Sequence, residues 1–231
     1  DYLMAYLNQV CIPKGQFNDA LQALANYGMP NRPMNIDIYR RLIDETFAAC
    51  EPEEIENLRK ALNNFMSQVS EAEKNKGVGK EFARFQLATH LIHYKHVYDK
   101  KNLTDLAAKV AVALVRYVDL TTLDKPFYEA GQLALKQKWE NIAFVFLNRY
   151  LDIYEAIEEK SLENLADNDA FKVTDIPPLT TLRLPGNNHI DEAKKTKIRD
   201  WCLKVSLEKN DVIPLPTIPC RGCNSQMFEV S

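Results

Sequence analysis

The sequence predicts an all-α fold: a solenoid of helical hairpins that gives way to a Pro-rich, extended tail carrying two cysteines. Three observations predict it. Apolar residues recur at steps of three and four up to about residue 160, with almost no strand-like alternation. The links between successive periodic segments are short, and short links force neighbouring helices antiparallel, so that hairpins in a row stack into a superhelix. After about Asp169 the prolines of Ile176-Pro177-Pro178-Leu179 and Leu184-Pro185-Gly186-Asn187 stop the helical pattern.

The elements follow in order. Leu7, Cys11, Ala20, Leu24 and Tyr27 fit a helix pair that turns at Lys14-Gly15, with Pro30 and Pro33 beyond its second helix. Glu51-Pro52-Glu53-Glu54 then supplies a proline near the first helical position and acids for the positive helix end, ahead of Ile55, Leu58, Leu62, Phe65 and Val69 on one face. Gly77-Val78-Gly79 follows a charged run and reads as a loop. From Glu81 to Tyr98, Phe82, Phe85, Thr89 and Ile92 mark one face and Leu87, Leu91, Tyr94 and Tyr98 another, so this helix is expected to be covered on two sides. The next starts at Asn102 or Thr104, either of which can accept an orphan backbone N–H, and carries Leu106, Val110, Ala113, Leu114 and Tyr117.

A hairpin follows, from about Lys125 to Lys138 and from about Trp139 to Glu159, the second helix lined by Ile142, Phe146, Tyr150, Ile153 and Ile157. Gly131 and Ala143 have the offset of the small residues in the 34-residue helix-hairpin repeat, which makes the array tetratricopeptide-like. The predicted organisation is a solenoid over residues 1–168, an extended Pro-rich connector over 169–189, and a last segment over 190–231. That segment opens with a helix striped by Ile198, Trp201, Cys202 and Val205, after which Pro214, Pro216 and Pro219 keep the chain extended up to Cys220.

Composition narrows the function classes. A net charge of −3 and a pI near 5.9 give no global attraction to nucleic acid or to an anionic membrane. The best apolar run, Val110 to Val115, is far short of the roughly 20 residues that cross a bilayer, so neither a nucleic-acid partner nor membrane insertion is expected. Five scattered cysteines make no disulfide framework for 231 residues, and a reducing, intracellular setting fits them better. None of the seven glycines stands in a phosphate-binding or nucleophile-elbow pattern. The opening Tyr2-Leu3-Met4-Ala5-Tyr6-Leu7 reads like the middle of a helix, as in a fragment of something longer. A non-enzymatic protein with no catalytic residue and no cofactor is the expectation.

Four features carry the remaining chemistry. His90, His93 and His96 recur at steps of three, but successive members rotate by roughly 60° about a helix, so the strip reads as polar or groove-facing rather than as one metal site. Asp152, Glu155, Glu158, Glu159, Glu163, Asp167 and Asp169 form an acidic run that reads as a solvated face or a steering surface. Lys194, Lys195, Lys197 and Arg199 lack interleaved aromatics and read as a solubilising face or a docking patch for that acidic run. Cys220-Arg221-Gly222-Cys223 has the spacing of a zinc knuckle, and Cys220 and Cys223 are the candidate metal ligands, for zinc, of a half-site that needs two further donors; the plainer reading is unligated thiols in a turn, and the flanking prolines speak against the strand-and-helix setting of a redox dithiol.

One resemblance stands beside these readings. Asp124-Lys125-Pro126-Phe127-Tyr128-Glu129-Ala130-Gly131 and the run from Trp139 to Asp152 resemble the C-terminal region of the intraflagellar transport protein 172 family, and Ala156 to Glu159, Thr174 to Pro177, Arg199-Asp200-Trp201, Val205-Ser206 and Pro219-Cys220 follow in the same order. The resemblance covers about residues 80 to 220. It implies a peripheral complex B subunit, here without the WD40 propellers, whose tetratricopeptide-like solenoid works as a scaffold joining complex B to complex A subunits on trains that serve cilium assembly and cargo transport. It implies a place in the cilium or flagellum and at the basal body, on the cytoplasmic side. It also implies a U-box-like module at the end of the chain, with ubiquitin or a ubiquitin-conjugating enzyme as partner and ubiquitin ligase-like assistance as the alternative function. Cys223 stands where that pattern has a threonine, and only eight residues follow it.

Overall fold

The apolar periodicity is realised as helices throughout the computed structural model, which describes residues 2–28, 36–70, 77–182, 184–208 and 214–229. Two compact units divide at Val97 and Tyr98.

In the first unit, α1 (Tyr2–Tyr6) runs on as a π-helical turn over Leu7–Cys11, and Gly15, at φ +67°, closes the Lys14-Gly15 turn before α2 (Phe17–Tyr27). Pro30 and Pro33 lie outside the described residues. After α3 (Ile36–Ala49), α4 (Pro52–Ser67) opens on Pro52 with Glu53 and Glu54 in its first turn, the arrangement that suits the unpaired N–H groups and positive end of a helix. Asn57 Nδ2 donates to Asn18 Oδ1 at 3.2 Å and Asn64 Nδ2 to the Ala25 carbonyl at 3.1 Å, tying α4 along α2. The core is aromatic: Phe65 and Phe82 approach to 4.5 Å between centroids, with Tyr39 edge-on to both.

Two expectations fail here. Gly77-Val78-Gly79 is the first turn of α5 (Gly77–Lys100), not a loop. Glycine costs a helix about 1 kcal/mol, and the buried Phe82, Phe85, Ala88 and Ile92 face of a 24-residue helix outweighs it. Coverage of α5 on two sides also fails. Its Phe82 stripe is buried, whereas Leu87 is 52% and Tyr94 48% exposed. Apolar spacing marks a face that can be covered, and it cannot say that anything in the chain covers it. An Arg40–Glu81 fork, with N–O distances of 2.8 and 2.7 Å, joins α3 to the buried side of α5 and holds the guanidinium well above its ordinary value.

In the second unit, α6 (Thr104–Leu114) is capped by neither Asn102 nor Thr104. Asn102 takes a left-handed conformation, φ +56°, which asparagine tolerates better than most residues, and turns the chain back so that Leu103 N–H donates to the Tyr98 carbonyl. A 3₁₀ turn over Val115–Tyr117 leads to α7 (Asp124–Lys136) and α8 (Glu140–Glu159). Their three-residue link, with Lys138 at φ +63°, folds the pair into the expected hairpin around buried Phe127, Phe146, Tyr150 and Ile153.

Helix α8 already ends at Glu159, where Lys160 turns left-handed at φ +53°, and the Pro-rich stretch beyond Asp169 forms short 3₁₀ turns at Asp169–Phe171 and Leu179–Thr181 and no α-helix among its described residues. The segment is no bare spacer, since Phe171, Ile176 and Leu179 join the α6–α8 core. Asp191 then caps α9 (Glu192–Glu208), its Oδ1 accepting the Lys194 N–H at 2.8 Å, and Ile198 and Cys202 face the same core. The chain past Pro214 is extended, as its prolines require, but it is also paired: β1 (Thr217–Pro219) and β2 (Gln226–Phe228) form an antiparallel hairpin with Thr217 opposite Phe228 and Pro219 opposite Gln226.

Candidate functional site on a docked hairpin

The hairpin is held at its open end. Phe228 is fully buried, its ring edge-on to Phe146 of α8 at 5.8 Å. An Arg–Asp pair grips its backbone. Phe228 N–H donates to Asp175 Oδ1 at 2.8 Å, the Arg116 guanidinium donates to the Phe228 carbonyl, and Arg116 Nε lies 3.0 Å from Asp175 Oδ2. Both polar groups of this buried residue are therefore satisfied by charged partners, the stronger kind of hydrogen bond. Periodicity could not have found this clamp, whose three members come from the 3₁₀ turn after α6, the connector and the last strand.

The same hairpin carries Cys220 and Cys223 at its other end. Asn224 N–H donates to the Cys220 carbonyl and Cys220 N–H to the Ser225 carbonyl, each at 2.8 Å, and Asn224 adopts φ +60°. Cys223 is exposed, with its Sγ 3.1 Å from the Ser225 hydroxyl. That hydroxyl, followed by the Ser225 backbone and the Cys220 thiol, holds the Cys223 thiol below its ordinary range. Neither His189 nor Cys202 completes the half-site, because both are engaged elsewhere. His189 Nδ1 lies 2.5 Å from Asp124 Oδ2 at the start of α7, and Cys202 is buried, its thiol pushed up to about 12 by burial and then by Asp152. Among the described residues, no group of three or more His, Cys, Asp or Glu is placed to hold a metal.

The histidine strip serves separate partners. His90 stacks on Tyr94, His93 Nδ1 lies 3.2 Å from Glu56 Oε2, and His96 Nε2 lies 3.9 Å from Cys50 Sγ. The acidic and basic runs, by contrast, meet. Lys195 Nζ sits 3.1 Å from Glu158 Oε2 and 4.3 Å above the Tyr154 ring, so part of the basic face of α9 is a docking patch for α8. The remaining lysines of that face, Lys194 and Lys197, rim a cleft of about 220 Å³ floored by Tyr128, Leu135, Leu147 and Trp201. In the first unit, Tyr2, Tyr6, Val10 and Tyr27 line a larger apolar groove of about 780 Å³.

One charge in the second unit is out of balance with its surroundings. Arg149, only 5% exposed, spans Asp152 Oδ2 at 3.5 Å, the Asp167 carbonyl and the Phe171 ring at 5.1 Å. Burial pushes the Asp152 carboxyl up to about 6 from 3.8, against the pull of Arg149. A raised carboxyl favours folding in its protonated form, so its contribution is complete below about pH 4 and is lost as pH rises through about 6. Stability measured by urea unfolding is expected to fall across that window, by about 1 kcal/mol or less, because the side chain is 37% exposed and screened. Asp152→Asn should flatten this part of the profile; an unchanged slope would exclude Asp152 as its source.

Fold and surface together define a class: a helical-hairpin scaffold of the solenoid type whose tail folds back on its second unit. No family model matches the chain. It is 35% identical over 216 residues to the intraflagellar transport protein 172 homolog of Mus musculus, 31% over 223 residues to that of Danio rerio, and 27% over 227 residues to intraflagellar transport protein 172 of Chlamydomonas reinhardtii. These matches cover 90%, 93% and 94% of the chain. Over that span the chain is homologous to the intraflagellar transport protein 172 family, and it covers only 12% of the length of the mouse relative.

Proposed function

We propose that this chain is a non-enzymatic scaffold segment of an intraflagellar transport train, working at the cilium or flagellum and its basal body and contributing to contacts that connect complex B with complex A or other train partners. The observation that carries the reading is the homology over nine tenths of a chain whose described residues are built as packed helical hairpins. Such stacks bind through area, along edges and concave faces, rather than through a few convergent groups. Surface is available for it: the exposed Leu87 and Tyr94 stripe of α5, and the Lys194/Lys197-rimmed cleft. Among the described residues no helix is long and apolar enough to cross a membrane.

The test is binding of the purified chain to reconstituted complex A and complex B. Retention by at least one of them is expected. Single surface substitutions should cost less than about 0.5 kcal/mol, whereas loss of the buried anchor Phe146, or of the half-buried Trp139, should abolish binding by collapsing the hairpin. No retention by either complex would sink the proposal, and unchanged binding after truncation before residue 80 would remove the first helices from it.

A second reading, a ubiquitin-conjugation adaptor of U-box-like character, is supported by one feature: a hairpin anchored at Phe228 that presents its tip to solvent. Its warrant beyond that is analogy. Titration with a ubiquitin-conjugating enzyme, read by chemical shifts over residues 214–229, discriminates; unmoved resonances there would eliminate this reading.

A further inference from the structure

We propose that Cys220 and Cys223 form a reversible intramolecular disulfide at the tip of the tail hairpin, a redox-modification site that exchanges with a low-molecular-weight disulfide such as oxidised glutathione. The inference rests on the hairpin itself and not on the transport reading.

Geometry comes first. The Asn224 N–H to Cys220 carbonyl bond makes residues 220–224 a single helical-type turn, closed from outside by the bond between Cys220 N–H and the Ser225 carbonyl. Residues three apart on such a turn place their Cβ atoms about 5–6 Å apart. A disulfide requires about 3.5–4.5 Å between Cβ atoms, a tightening of roughly 1–2 Å at an exposed loop tip. Nothing rigid opposes it. A side chain added at Gly222 would meet only Cys220 Sγ, at 4.0 Å, so the middle of the turn is open.

Chemistry agrees with geometry. Cys223 is exposed, and the Ser225 hydroxyl, the Ser225 backbone and the Cys220 thiol all favour its thiolate, the nucleophilic form. The Cys223 thiolate attacks one sulfur of oxidised glutathione, the glutathione S–S bond breaks, and a first glutathione thiolate leaves. Cys220 loses its proton and attacks the Cys223 sulfur of the mixed disulfide, expelling the second glutathione. Two protein thiols have then given up two electrons and two protons, and one oxidised glutathione has become two reduced ones. The pair is complete for this reaction. For a metal it supplies two donors, and the described residues place no third beside it. The other cysteines are poorly matched to it, since Cys11 and Cys202 are buried and Cys50 lies against His96. Closure would fix the hairpin at both ends, with Phe228, opposite Thr217, docked at one and the disulfide at the other.

The experiment equilibrates the whole chain in glutathione buffers of graded oxidation, quenches with acid, alkylates the remaining thiols and maps them by peptide mass spectrometry. The number of alkylated thiols is expected to fall from five to three, with the linkage inside the 220–223 peptide, and to return to five in excess reduced glutathione. Cys220→Ser should instead accumulate a glutathione adduct on Cys223. Five thiols at every ratio, or a persistent adduct on Cys223 in the unaltered chain, would overturn the proposal. So would zinc chloride protecting both thiols from oxidised glutathione, which would assign the pair to a metal instead.

Discussion

Replacing Phe228 with alanine is expected to release the tail hairpin from the second unit while leaving its helices folded. The Phe228 ring is fully buried against Phe146, and truncating such a residue costs about 3–5 kcal/mol. A two-stranded hairpin is marginal at best in water, and this one has three residues in each strand. It has no reserve from which to absorb that loss. Amide hydrogen exchange is the measurement: protection at Cys220, Phe228 and Glu229, whose N–H groups are bonded in the docked state, should vanish. Protection in α7 and α8 should persist, and the far-UV helical signal should barely change. Asp175→Ala should give a smaller effect in the same residues, because it removes the acceptor of the Phe228 N–H and the partner of Arg116 but leaves the ring in place. Protection that survives in Phe228→Ala would show that the ring is not the anchor.

What was readable in advance, and what was not, follows the range of the interactions. The α7–α8 hairpin was legible because its information is local: apolar steps of three and four, a very short link and two small residues at the right offset. The observed Asp124–Lys136 and Glu140–Glu159 fall within two residues of the expected bounds. The docking of α9 was partly legible too, because the acidic and basic runs advertised complementary charge, and Lys195 does meet Glu158. The clamp on Phe228 was not. Arg116 and Asp175 stand 59 residues apart in sequence, Arg116 and Phe228 112 apart, and none of them belongs to a periodic stripe. The only local signal was turn chemistry, Gly222-Cys223-Asn224 between Thr217-Ile218 and Met227-Phe228, which marks a hairpin but not what it packs on. The misreading of α5 has the opposite origin. Its second apolar stripe is present, and exposure of Leu87 and Tyr94 is a property of what surrounds the stripe rather than of the stripe.

Gly131→Val is expected to destabilise the second unit by about 2–3 kcal/mol, the upper part of the range for overpacking a tight core. Gly131 is buried where α7 crosses α8. A Cβ built there would lie 2.6 Å from both Leu147 Cγ and Cδ2 and 3.3 Å from the Leu147 backbone N. Helix propensity pulls the other way, since glycine is about 1 kcal/mol worse than alanine within a helix. Gly131→Ala should therefore be the milder change, its single methyl displacing the Leu147 side chain while recovering part of the cost. Valine adds two more carbons on a stiff χ1, pressed against Leu147, which is itself only 1% exposed. The decisive measurement is a double-mutant cycle in urea. Leu147→Ala alone leaves a cavity and should cost about 2–5 kcal/mol, but combined with Gly131→Val the two changes fill and empty the same space. The pair should then be more stable than the sum of the singles by at least about 1 kcal/mol. Additive costs would mean that Gly131 is tolerated at this crossing rather than required by it, and that the small residue marking the helical-hairpin repeat in this sequence has no steric origin.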